Sequence, residues 1–163
     1  MLPEDRGEEI VEGIARHMPP ASDEHANAIE RTYLAFSSRL DRRSSKVAAF
    51  GSGQLIRREP LTYRVPDVAI YRRQDFRAQH YVLSTPELIV EVVSPANRKG
   101  NLQELLGHYA SIRIPEVWFV YLDRRQVQRL RLAGGNYIEM DRVSEGELAV
   151  LGVTIKIDEM WPD

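Results

Sequence analysis

Residues 87–94 read ELIVEVVS, and the architecture turns on where that run is placed. Its β-branched residues favour a strand. Side chains two apart share a strand face, so Leu88, Val90 and Val92 lie on one side and Ile89 and Val93 on the other. Both sides are apolar. A strand of that kind belongs in the middle of a sheet with further layers packed above and below it. Glu91 is the exception, because it shares the face of Ile89 and Val93. A carboxylate buried there without a partner costs several kcal/mol, so it calls for a cation, a metal ion or a cluster of donors. A salt bridge to one of the many arginines is the ordinary alternative.

Downstream, Pro95 ends the strand, and Asn97 or Asn101 is placed to cap a helix with the apolar stripe Leu102, Leu105, Leu106, Tyr109 and Ile112. Pro115 closes that helix, and EVWFVYL (116–122) is a second buried strand. QVQRLRL (126–132) and NYIEM (136–140) flank Gly134-Gly135 as a hairpin, and VTIKI (153–157) is the last strand. Upstream, residues 8–18 read as a short hairpin turning at Glu12-Gly13, with a weak helix as the alternative. Ser22 is a good N-cap, Asp23 and Glu24 suit the positive end of a helix dipole, and Ala26, Ile29, Tyr33, Phe36 and Leu40 mark a helix over 23–42. After RRSSK (42–46) the period changes to two, in KVAAF (46–50), QLIRR (54–58), LTYRV (61–65) and DVAIYR (67–72). Residues 73–85 are polar and irregular, a surface loop. The expected fold is α/β or α+β: a mixed β-sheet flanked by helices, with an extra C-terminal β-hairpin region, in one domain over residues 1–163.

Composition narrows the chemistry. With 163 residues, 43% of them hydrophobic, the chain should bury roughly 70% of its unfolded surface and needs no staples. The absence of cysteine excludes disulfides, thiolate zinc sites and a cysteine nucleophile. No apolar run reaches membrane-span length and the start, MLPEDRGEEI, is acidic, so no membrane association and a cytoplasmic location are expected. The net charge of −2 hides an uneven distribution. Residues 1–30 carry −6, residues 31–131 carry +9 and residues 132–163 carry −5. A basic middle between acidic ends suits a polyanion such as DNA; scattered solvated arginines are the plainer reading. There is no phosphate-binding glycine loop, no GxSxG elbow and no HExxH helix.

Asp67 is the second acid of interest. It follows Pro66 at the start of a strand and shares a face with Ala69 and Tyr71. Alone, a Pro-Asp pair is turn chemistry. Together with Glu91, it makes two carboxylates on neighbouring strands, suited to a hard divalent ion such as Mg²⁺ or Mn²⁺ that keeps several waters. Such an ion polarises a phosphodiester and generates hydroxide from bound water.

The ordered set PDVAIYR (66–72), PELIVEVVSP (86–95) and LLGHYASIRIPEVWFVYLD (105–123) resembles a large bacterial family of restriction-endonuclease-like proteins in the PD-(D/E)XK nuclease superfamily. EEIVEGIARHMPPASDEH (8–25) resembles that family's start, a hairpin ahead of a capped helix bearing a histidine. The resemblance implies a restriction-endonuclease-like fold and metal-dependent hydrolysis of DNA phosphodiester bonds, with Asp67 and Glu91 as metal-binding acids. It also brings in Glu9 and His25 as accessory residues, with an exposed hairpin acid and a helix-capping histidine as their ordinary readings. Tyr109 is a third accessory candidate.

One departure bears on activity. Where other superfamily members place a lysine two after the glutamate, this chain has Val93, and the family's alternative position, four before the tyrosine, is Leu105. The family's frequent acid one turn earlier falls on Asn101. A lysine beside the scissile phosphate supplies positive charge and orients the attacking water; leucine does neither. Lys99 and Arg98 are the nearest substitutes in sequence, with Lys99 six residues from Leu105, roughly 9 Å along a helix. Arg72 and Arg73, with Arg98, are candidate phosphate contacts. Glu87 shares the strand face of Glu91 but sits at the strand edge, and His108, beside Tyr109, is expected to point outward. The expected function is therefore an endonuclease impaired by Leu105, or, as the alternative, a catalytically inactive nuclease-fold module that binds DNA or assembles. The sequence leaves the oligomeric state open; a homodimer docking through the Gly134-Gly135 hairpin is one arrangement it offers.

Overall fold

The computed structural model describes residues 8–49, 53–94 and 101–163. The chain opens with β1 (Glu8–Val11) and β2 (Ile14–His17), joined at Glu12 and Gly13, whose φ values of 52° and 80° are the left-handed pair that a tight hairpin turn requires. Helix α1 (Asp23–Ser37) starts where Ser22 Oγ accepts from the His25 amide at 3.2 Å. It ends before residue 42, but the Leu40 amide still bonds the Phe36 carbonyl, so the apolar period outlasts the helix by one turn.

Short strands follow: β3 (Ser45–Ala49), β4 (Gln54–Arg57), β5 (Thr62–Arg64) and β6 (Val68–Arg72). β7 (Leu88–Val93) is buried at every position. Asn101 is the cap of α2 (Leu102–Ser111), accepting from the amides of Gln103 and Glu104. Next come β8 (Glu116–Tyr121), β9 (Gln126–Ala133) and β10 (Asn136–Val143). β11 (Glu147–Val150) and β12 (Val153–Lys156) form a separate C-terminal hairpin. β11 goes beyond the sequence reading, which recognised only its partner; its buried residues, Leu148 and Val150, alternate with exposed ones over just four positions.

The main sheet has six strands in the order β10-β9-β8-β7-β6-β3. β7 and β8 are parallel, joined through α2, and the other pairs are antiparallel, so the sheet is mixed as expected. A smaller sheet, β2-β1-β5-β4, stands beside it. Residues 65–67 carry the chain straight from the small sheet into the large one, which puts Pro66 and Asp67 at their junction.

Each face of the main sheet carries a helix. Under α1, Ala28, Ile29 and Phe36 meet Leu88, Val90, Val92 and Trp118, with the Phe36 and Trp118 rings 5.6 Å apart. Under α2, Leu105 and Tyr109 meet Ala69, Ile89, Val93 and Phe119. Burial of each large side chain contributes about 1.5–3 kcal/mol, so both layers are strong anchors. Among the described residues no helix is long and apolar enough to cross a membrane.

Candidate active site

The β6–β7 pairing sets Val68 opposite Val90 and Ala69 opposite Ile89; one step further along the register places Asp67 opposite Glu91. The two acids predicted from separate motifs thus stand side by side on the α2 face. Glu91 is 0% and Asp67 8% exposed. The Asp67 amide donates to Glu91 Oε2 at 3.4 Å, and the Val92 amide donates to Asp67 Oδ2 at 2.8 Å. Tyr109, one turn beyond Leu105 on α2, donates its hydroxyl to Glu91 Oε1. Burial, reinforced by the Glu91 charge, pushes that phenol well above its usual range, so it stays a donor throughout the physiological window. Tyr109 therefore combines the two readings, its ring in the core and its hydroxyl on the site.

The first turn of α1 brings His25 to the same corner. Its Nε2 lies 3.6 Å from Asp67 Oδ2, beyond hydrogen-bond distance, and its buried Nδ1 has no hydrogen-bond partner among the described residues. Two carboxylates and a nearby imidazole are hard and borderline donors. They fit a Mg²⁺ or Mn²⁺ ion that takes one or two carboxylates and otherwise keeps water. Among the described residues no group of three or more histidine, aspartate or glutamate side chains is arranged to hold a metal ion, so the fit rests on the two carboxylates with water completing the shell.

A second buried cluster adjoins the first. Arg64, at the end of β5, is 2% exposed. Its guanidinium donates to Glu9 Oε2 at 2.7 Å, to Glu104 Oε1 at 2.7 Å and to His108 Nδ1 at 3.0 Å. Glu9 Oε1 accepts from the Val65 amide at 2.9 Å. Glu9 is thus neither an exposed hairpin acid nor directed at the Asp67–Glu91 pair; it binds Arg64 and Val65. Arg16 bonds Glu104 from β2 at 2.6 Å, and this bond, aided by Arg64, holds the Glu104 carboxyl below its usual range. His108 does not point out to solvent as expected. It accepts from Arg64, and burial followed by the Arg64 charge lowers its pKa.

Among the described residues, the other candidates do not join the acidic pair. Leu105 is fully buried among Ala69, Ile89 and Phe119, completing the apolar layer. Lys99 and Arg98 lie outside the described residues. Lys46, which no motif singles out, is on β3 opposite Tyr71, four residues along β6 from Asp67, or about 13 Å. Arg72 bonds Glu87 at 2.8 Å, and Arg73 bonds the Arg42 carbonyl at 2.9 Å. These residues sit at the opposite end of β6 from Asp67, so the structure does not bring Arg72, Arg73 or Glu87 to the acids. Arg64 is the residue sequence reasoning missed. The signal was present: a charge inside the run Leu-Thr-Tyr-Arg-Val, directly ahead of Pro66-Asp67, raises the same question of burial as Glu91.

Comparison with known proteins agrees with the fold. A family model described as "Uma2: Putative restriction endonuclease" matches residues 2–157. The crystal structure of a "putative nuclease belonging to DUF820" from Anabaena variabilis superposes with a TM-score of 0.75 at 15% identity, covering 98% of this chain and 92% of that one. The fold is shared. No curated protein matches. The chain belongs to the Uma2 family.

Proposed function

We propose that this Uma2-family chain is a metal-dependent endonuclease acting on DNA, with Asp67 and Glu91 holding a Mg²⁺ or Mn²⁺ ion. The observation that supports this most is the register: two buried acids from separate strands, opposite one another at the junction of two sheets. When bound, the ion would polarise the phosphodiester and supply hydroxide from water. The protein's own part is positioning. Tyr109 fixes one oxygen of Glu91, the Val92 amide fixes one oxygen of Asp67, and the Asp67 amide turns toward the other oxygen of Glu91. His25, beside Asp67, is placed to accept or deliver a proton at that edge.

Purified protein incubated with supercoiled and linear DNA in Mg²⁺ or Mn²⁺ should nick or cut it, and Glu91→Gln should abolish cutting. Cutting that persists undiminished in Glu91→Ala overturns the assignment.

Leu105 favours a second reading, a nuclease-fold module that binds DNA or assembles without cleaving it. A fully buried leucine at the family's lysine position gives no charge to the scissile phosphate. That reading predicts DNA binding that falls steeply with salt and no nicking at any metal concentration. Leu105→Lys sharpens the contrast: it raises an existing weak activity under the first reading, whereas under the second it creates an activity that the wild type lacks or destabilises α2 by burying a charge. Pairing of two copies through the exposed edge of β10 would give the homodimer suited to cutting both strands; sedimentation of the free protein tests it.

A further inference from the structure

We infer that Arg64 is a positioning residue for the acidic pair, its guanidinium setting the α2 helix so that the Tyr109 hydroxyl reaches Glu91. The inference rests on reading Asp67 and Glu91 as the metal-holding acids. Arg64 presents a rigid fork of N–H donors, and the fork meets three side chains from two elements: Glu9 on β1, and Glu104 and His108 on α2. Glu104 and His108 are one turn apart, so the grip fixes both the rotation and the height of that helix. Leu105 and Tyr109 follow them directly in sequence and form the adjoining helix face, packed under the sheet. A slip of α2 by a fraction of a turn would withdraw the Tyr109 hydroxyl from Glu91 Oε1. The same cluster steadies the other acid, because Glu9 also holds the Val65 amide, two residues before Asp67.

Stability alone does not explain this arrangement. Buried ion clusters are often no more stabilising than apolar residues of equal volume, and in some proteins they fix one geometry instead. The Tyr109 phenol feels both Glu9 and Arg64, which places the two clusters within electrostatic reach of one another.

Mn²⁺ titration of the full chain, followed by calorimetry and electron paramagnetic resonance, tests the inference. Arg64→Gln is expected to weaken Mn²⁺ binding roughly 10–100-fold, as loss of an outer supporting contact does. Arg64→Lys should recover little, since a single point charge cannot reproduce the fork. In a Tyr109→Phe background the loss from Arg64→Gln should shrink by at least about fivefold, because the two residues act along one route. If Arg64→Gln fails to fold with Glu9 stranded, the paired change Arg64→Met with Glu9→Gln leaves no uncompensated buried charge there and is held to the same expectation. Wild-type binding that is matched by the variants, fully restored by lysine, or lost in strictly multiplicative steps overturns the inference while leaving the acidic pair intact. A wild-type protein that takes up no Mn²⁺ overturns the reading of the acidic pair and this inference with it.

Discussion

The two faces of β7 are made by alternate residues of one six-residue strand, yet they bury different chemistry. Toward α1 lie Leu88, Val90 and Val92, which meet Trp118 and Phe36 in an almost wholly apolar layer. Toward α2 lie Ile89, Glu91 and Val93, and there the apolar layer surrounds a carboxylate held by a tyrosine. One face acts as a foundation and the other as a mount. The lesson is that a buried polar site is affordable on one side of a sheet when the opposite side is packed without compromise, since net folding stability is small against either term.

The strongest way to break this contrast is to move charge across the strand. Val90→Asp puts a carboxylate into the α1 layer with no donor set waiting, and a cost of several kcal/mol should leave little folded protein by circular dichroism. A fold retained with an unchanged urea midpoint would show that the α1 face is not the sealed foundation described. Trp118→Ala should cost about 3–5 kcal/mol in urea denaturation. Metal uptake should then fall only in proportion to unfolded protein. On the opposite face, Tyr109→Phe should cost only about 1–2 kcal/mol of stability, the scale of one buried hydrogen bond. It should nevertheless weaken Mn²⁺ binding roughly tenfold, and equal effects on stability and binding would erase the distinction between the faces.

The smallest effect concerns pH. His108 has a folded-state pKa below its ordinary value, from burial first and the Arg64 charge second, so folding favours the neutral ring. The unfolded chain then binds more protons below about pH 6.5, and the stabilising contribution is present above that pH and lost as pH falls through the folded value. Urea midpoints should therefore decline between pH 7.5 and 5.5, and His108→Asn should flatten part of that slope. An identical slope in the variant would mean that the Arg64–His108 bond does not depend on the proton.

Much of this was legible in short-range pattern. The two-sided apolarity of residues 88–93 identified a central strand, Ser22 marked one helix start and Asn97 or Asn101 the other, and Glu12-Gly13 and Gly134-Gly135 marked hairpin turns. The oddness of Glu91 in an apolar run pointed to a partnered carboxylate. The Arg64 cluster was legible only at Arg64 itself, a charge inside Leu-Thr-Tyr-Arg-Val; its partners come from positions 9, 16, 104 and 108, each unremarkable beside its own neighbours. For His108, helical phase alone indicated solvent; it did not show that a second sheet would cover that side of α2.

The sequence by itself determined both helices and most of the strands, which faces are apolar, and that a carboxylate at position 91 requires company. Those properties depend on side chains within a few residues of one another, where the periods of two and 3.6 operate. Only the tertiary structure decided that Asp67 lies opposite Glu91, that Tyr109 reaches across to hold it, and that Arg64 ties β1 to α2. Strand register and buried ion pairing bring together residues distant in the chain, and their energies exist only once the sheets have closed around them.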